Sequence, residues 1–128
     1  MEFVIIPNKS IGEILFGLER NEIRNILTGF KGEFKKNKFC KNTTDDFGYC
    51  HVFYDGKDKC NAVEFFSPKK LIYENKNLFD LSIEELKYLF PDIREEYGSY
   101  ISQKSSIGIV FEGNVVESIL IGCKDYYC

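Results

Sequence analysis

Tryptophan is absent from the 128 residues, and histidine occurs once, as His51. A single imidazole excludes metal centres that need two, the H-E-x-x-H zinc site among them. Any Ser-His-Asp or Cys-His catalytic site would have to use His51. Its neighbour Cys50 cannot serve it within a strand, because adjacent side chains point to opposite faces. No G-x-G-x-x-G, G-x-x-x-x-G-K-[ST] or G-x-S-x-G occurs, so there is no phosphate-cradling loop or nucleophile elbow to build on. No apolar run approaches the roughly 18 residues that cross a bilayer. Pro7 interrupts the apolar start, which also lacks the basic flank of a secretory signal. The expectation is a cytoplasmic chain with no membrane partner. Positive charge is not in excess either: 17 basic residues stand against 20 acidic ones, net −3, with a pI near 5.3. Nucleic-acid binding needs a basic face, so no direct nucleic-acid partner is expected, and a neutral or basic protein fits better. The five cysteines (Cys40, Cys50, Cys60, Cys123 and Cys128) are odd in number and none has C-x-x-C spacing. They read as thiols of a reducing compartment. No metal and no cofactor is expected; a site from Cys40, Cys50 and Cys60 is the alternative.

What is present is ample aromatic and aliphatic material. Twelve Phe, eight Tyr and an apolar fraction of 44% suffice for one packed domain over residues 1–128 and exclude disorder as a description of the whole. Residues 2–6 read as a strand and residues 11–18, with two glycines, as extended or turning chain. A helix is expected from about Glu19, with Ile23, Ile26, Leu27 and Phe30 at helical spacing and Thr28-Gly29 ending it. Residues 31–46 carry Lys31, Lys35, Lys36, Lys38 and Lys41. They read as a lysine-guarded edge strand with a loop after it; a phosphate-binding patch is the alternative, opposed by Asp45 and Asp46. Strands are expected over 47–54 and 60–66 around an Asp55-Gly56 turn. Ser82 and Glu85 make a capping box for a second helix, with Leu81 stapled to Leu86 and Pro91 ending the run. Three further strands fall at 97–101, 106–111 and 115–121.

Val52-Phe53-Tyr54-Asp55-Gly56 is echoed by Ile109-Val110-Phe111-Glu112-Gly113, and Val63-Glu64-Phe65-Phe66 by Val116-Glu117-Ser118-Ile119. The order helix, hairpin, helix, hairpin predicts an α+β fold with a single antiparallel sheet and two short helices on one face. Its repeat halves fall at about 11–66 and 78–122.

Strand alternation supplies the candidate surface. If Cys50, Val52 and Tyr54 face the core, Tyr49, His51, Phe53 and Asp55 share the other face, with Glu64 and Phe66 beside them. Aromatics among charges are what a protein-binding hot spot needs. The partner-binding residues expected are Asp45, Asp46, Tyr49, Phe53, Asp55, Glu64, Glu112 and Glu117. The acid-rich segment 80–96 is a rival surface, and cover by helices or another layer is the bland alternative.

The stretch Ile11-Gly12-Glu13-Ile14-Leu15-Phe16-Gly17-Leu18, leading into Glu22-Ile23-Arg24-Asn25-Ile26-Leu27, resembles the opening of a group of small bacterial proteins. Leu18 stands where Met is common, and Glu22-Ile23 where the group has Glu-Val. Asn77-Leu78-Phe79-Asp80-Leu81-Ser82-Ile83-Glu84-Glu85-Leu86 is similar to that group's second helix opening. The group comprises immunity proteins of polymorphic toxins, including those of contact-dependent growth inhibition. The resemblance covers about residues 3–122. It implies an architecture of helix-plus-hairpin repeats of the β-lactamase-inhibitor-protein kind, and no transferable functional residues, because immunity interfaces differ from toxin to toxin. The function implied is an immunity protein, not an enzyme, that occludes a toxin domain. A basic nuclease toxin suits its negative charge. The alternatives are a small thiol-dependent enzyme using Cys50 or Cys60 with His51, and a structural or assembly module of the same fold.

Overall fold

The chain distributes its strands between two sheets, not the single sheet expected. The architecture comes from a computed structural model that describes residues 2–39, 42–66 and 70–127. In order, the elements are β1 (Glu2–Ile6), β2 (Ser10–Ile11), β3 (Ile14–Leu15), α1 (Arg20–Ile26), β4 (Gly32–Phe34), β5 (Thr44–Asp46), β6 (Cys50–Tyr54) and β7 (Cys60–Phe66). There follow β8 (Lys70–Tyr73), β9 (Lys76–Asn77), a 3-10 turn (Leu78–Asp80), α2 (Ile83–Leu89), β10 (Arg94–Glu96), β11 (Ser99–Ser102), β12 (Ile107–Glu112) and β13 (Val115–Gly122). The small sheet runs β3-β2-β1-β8-β9, with β1 and β8 parallel. The large one runs β10-β11-β12-β13-β7-β6-β5-β4 and is antiparallel throughout. The two short apolar stretches, residues 2–6 and 71–73, have the alternation of strands but no place in the large sheet. They pair with each other and bury Phe3, Ile5 and Leu71.

The core lies between the inward face of the large sheet and the small sheet with the helices. Cys50, Val52, Val63, Phe65, Ile107, Ile109, Ile119 and Ile121 point in from the large sheet. Phe3, Ile11, Ile14, Ile23, Leu71, Leu78 and Leu86 come from the opposing elements, and the Phe3 ring lies 5.0 Å from that of Phe65. Burial of one such Phe or Ile contributes about 1.5–3 kcal/mol.

Both helices start as their sequences dictate. The Ser82 hydroxyl accepts from the Glu85 amide at 3.2 Å, and the Glu85 carboxylate accepts from the Ser82 amide at 3.1 Å. Leu81 and Leu86, the expected staple, are both buried. In α1 the Glu22 carboxylate accepts from the Glu19 amide at 3.1 Å. Ile23 and Leu27 are buried, but Phe30 is not on the helical stripe. The backbone turns extended at Leu27, so Phe30 lies past the helix and packs edge-on against Phe47.

The large sheet is built twice. A helix followed by a four-stranded meander (α1, β4–β7) is repeated as α2, β10–β13, and the two meanders meet where β7 pairs β13. Each carries a bulge at the same point, between Phe53 and Tyr54 opposite β7 and between Val110 and Phe111 opposite β13. Tyr54 pairs Cys60 and Phe111 pairs Val116, so Cys60 matches Val116, and Val63 matches Ile119. The match expected from sequence, Val63–Phe66 with Val116–Ile119, is therefore three residues out of register. Between matched positions the first hairpin is only one residue longer than the second (Tyr54 to Cys60 against Phe111 to Val116), so the likeness of the two Val-Glu segments is local and not structural.

Candidate partner-binding face

The face of the large sheet turned away from the core is where the expected residues should gather, and it gathers some of them. Asp46, His51 and Glu64 are cross-strand neighbours on it. The His51 Nε2 lies 3.5 Å from the Asp46 carboxylate. Its ring is flanked by Phe34 of β4 (centroids 5.0 Å, edge-on) and Phe66 of β7 (4.8 Å, edge-on). Phe34 is 38% exposed, and His51 and Phe66 are half-buried. Phe66 also lines a shallow cleft with Glu112, Val115, Val116 and Glu117. Glu117 is the extra residue of the β13 bulge and has no cross-strand partner, a position that re-aims a side chain. The result is one stripe of rings, an exposed valine and carboxylates running from β4 to β12. The carboxylates of Glu64, Glu112 and Glu117 make no hydrogen bond or ion pair among the described residues.

Four of the expected residues do not belong to this stripe. Asp45 points into the protein and is fully buried. Its oxygens accept from Arg20 Nη1 (2.8 Å), Arg24 Nε (2.9 Å) and Nη2 (2.7 Å), and the Tyr54 hydroxyl (2.8 Å). Burial alone would raise its carboxyl, but the hydrogen bonds from Arg24 and Tyr54 and the two guanidinium charges hold it below the ordinary aspartate value. Arg20 also pairs with Asp58, and Arg24 with Glu33. This network pins α1 to β5, β6 and the 55–59 loop, and it leaves Asp45 inaccessible to a partner. Tyr49 precedes β6 and escapes its alternation. Its ring stacks near Phe3 (6.2 Å), and its hydroxyl donates to the Thr28 carbonyl at 3.1 Å. Phe53 does face outward but is only 9% exposed, with the Lys36 ammonium 4.5 Å over its ring. Asp55 turns its carboxylate back on its own loop, accepting from the Lys57 and Lys59 amides at 2.9 and 3.0 Å.

Part of the outward face is covered by the chain itself. A Cβ added at Gly122 would stand 2.6 Å from Tyr126 Cβ, and one at Gly108 would collide with the Tyr127 hydroxyl. Only glycine lets the two tyrosines lie on the sheet. Alternation in the sequence marks outward positions but says nothing of such a returning segment.

Phe34 is the residue that sequence reasoning missed. It stood out only as an interruption of the lysine run. Its place beside His51 depends on the pairing of β4 with β5, which local pattern does not set. The lysine-guarded edge itself is observed, since β4 is the last strand of the large sheet.

The thiols are not arranged for chemistry with His51. Cys50 and Cys60 are buried on the core side, at opposite ends of the β6–β7 hairpin. Burial pushes the Cys60 thiol up to about 12, which suppresses its nucleophilic thiolate. Cys40 and Cys128 lie outside the described residues. Among the described residues no group of three or more His, Cys, Asp or Glu side chains could hold a metal ion, and no helix is long and apolar enough to cross a membrane. No family model, curated protein or solved structure matches this chain.

Proposed function

We propose that this chain is a binding module that works by occlusion, presenting its outward sheet face to another protein. More particularly, we read it as an immunity protein that covers a bacterial toxin domain, a basic nuclease, and protects the cytoplasm of the cell that makes both. The observation that carries the reading is the Phe34–His51–Phe66 ring row bordered by unpaired carboxylates. Rings anchor an interface through their buried area, while uncompensated acids on an open face steer and select a basic partner. The acid-rich segment 80–96 supports a rival surface less well. Glu85 is engaged in the α2 cap, and Asp92 accepts from the Ser102 hydroxyl and the Lys104 amide.

The test is co-expression. Reading frames flanking the gene are induced one by one in a naive bacterium, with and without this chain. The expected result is one frame that stops growth and is neutralised by the chain through a stoichiometric complex. Phe66→Ala should then weaken that complex by about 2 kcal/mol, roughly thirtyfold in Kd. If no flanking frame is toxic, or toxicity persists beside the folded chain, the function is wrong. If affinity survives Phe34→Ala and Phe66→Ala but falls with Glu84→Lys, the interface is the 80–96 segment.

A further inference from the structure

We propose that the outward stripe receives an extended, basic segment of the partner, laid across the strands from β4 to β12. This rests on the binding role above and specifies the chemistry of what binds. The stripe crosses five strand spacings, about 24 Å, the reach of about seven residues of extended chain. Along it an extended segment meets Phe34 on β4, Asp46 on β5, Glu64 and Phe66 on β7, and Val115 and Glu117 on β13, apolar and acidic side chains together.

The charge argument is a contrast between the two faces. On the inner face and its edge, Asp45, Glu33 and Asp58 are each paired with Arg20 or Arg24. On the outer face Glu64, Glu112 and Glu117 have no cation from this chain among the described residues. Two lysines lie toward its β4 end, Lys31 against Gly48 and Lys36 over Phe53. The stripe is thus polarised. Aromatic contact dominates near β4, and unpaired carboxylates dominate toward β13 and β12. Guanidinium side chains suit this surface because they pair with carboxylates and also lie over aromatic rings. Addition of a strand to the β4 edge is a poorer use of the same region, since that strand is three residues long and flanked by lysines.

The experiment titrates the isotope-labelled full chain with a synthetic heptapeptide alternating arginine and valine, followed by amide and aromatic NMR shifts. A heptapeptide alternating glutamate and valine is the control. Saturable shifts are expected at His51, Glu64, Phe66 and residues 112–117, absent with the acidic peptide and weakened by added salt. Glu64→Lys combined with Glu117→Lys should raise the peptide Kd at least tenfold while leaving the amide spectrum of the core unchanged. No saturable shift, equal binding of the acidic peptide, or shifts confined to 80–96 or to the β4 edge would overturn the proposal. A toxin complex that maps to this face while the basic peptide fails would end this inference alone. A complex that avoids the face would end both.

Discussion

Replacing Asp45 by Asn tests how the first helix is held. The side chain keeps its shape, loses its charge, and turns an NH2 group toward donors that need an acceptor. Asp45 is fully buried, whereas Arg20 and Arg24 are 12% and 28% exposed. Removing one partner of a buried ion pair costs about 3–5 kcal/mol. Arg20 retains Asp58 and Arg24 retains Glu33, so the low end, about 3 kcal/mol, is expected. With a urea m-value of about 2 kcal/mol/M, the midpoint falls by about 1.5 M. With an unfolding entropy of about 2.1 cal/mol/K per residue, Tm falls by roughly 10 °C. Far-UV circular dichroism or tyrosine fluorescence follows the transition without tryptophan background. The pH dependence gives a second reading. The folded carboxyl titrates below its unfolded value, so its stabilisation is complete above about pH 4 and lost as pH falls through the lower, folded value. The gap between wild type and Asp45→Asn should be flat from pH 5 to 7 and shrink under acid. A variant within about 0.5 kcal/mol of wild type, or a gap that widens on acidification, refutes the network as described. Asp46→Asn, on the outward face, should change stability by less than about 0.5 kcal/mol.

Ser82→Ala removes the acceptor for the Glu85 amide and should cost about 1 kcal/mol in urea unfolding; an unchanged midpoint would mean the cap is dispensable. Gly122→Ala places a methyl group against Tyr126, so the C-terminal tyrosines should lift from the sheet at a cost of about 1–3 kcal/mol. Chymotryptic cleavage after Tyr126 or Tyr127 should accelerate in the folded protein, and an unaltered cleavage rate would show that they do not lie on the glycines.

Elements written in local chemistry were legible in advance. The α2 start follows from Ser82 and Glu85, and β7 and the second hairpin follow from alternation and turn residues. What was not legible is long-range. Residues 2–6 and 71–73 look like strands in isolation, and nothing near them says that they pair in parallel, Phe3 opposite Leu71, to make a separate sheet. Residues 94–96, Arg-Glu-Glu, have poor strand propensity and still form β10, because pairing with β11 overrides it. Asp45 and Asp46 look equivalent in sequence, yet strand alternation sends one into an arginine cage and the other to the surface. The sequence holds the arginines of that cage 25 and 21 residues away.

The duplication places a pair of rings on each half of the outward face. Matching the meanders through their bulges makes His51 equivalent to Gly108 and Phe66 equivalent to Gly122. In the second half, where both positions are glycine, Tyr126 and Tyr127 lie over them as an edge-on pair 5.2 Å apart. In the first half the strands supply their own edge-on pair, His51 and Phe66, 4.8 Å apart. Both halves therefore place two rings at the same sites, one pair from the strands and one from the returning tail. The tail lies over its half, whereas the rings of the first half belong to the strands and lie beside Phe34; all four rings are half-buried. Under the proposed binding role, the strand-borne pair beside Phe34 is the one that meets the partner. Grafting glycines at His51 and Phe66 should then abolish partner binding while the second half remains packed.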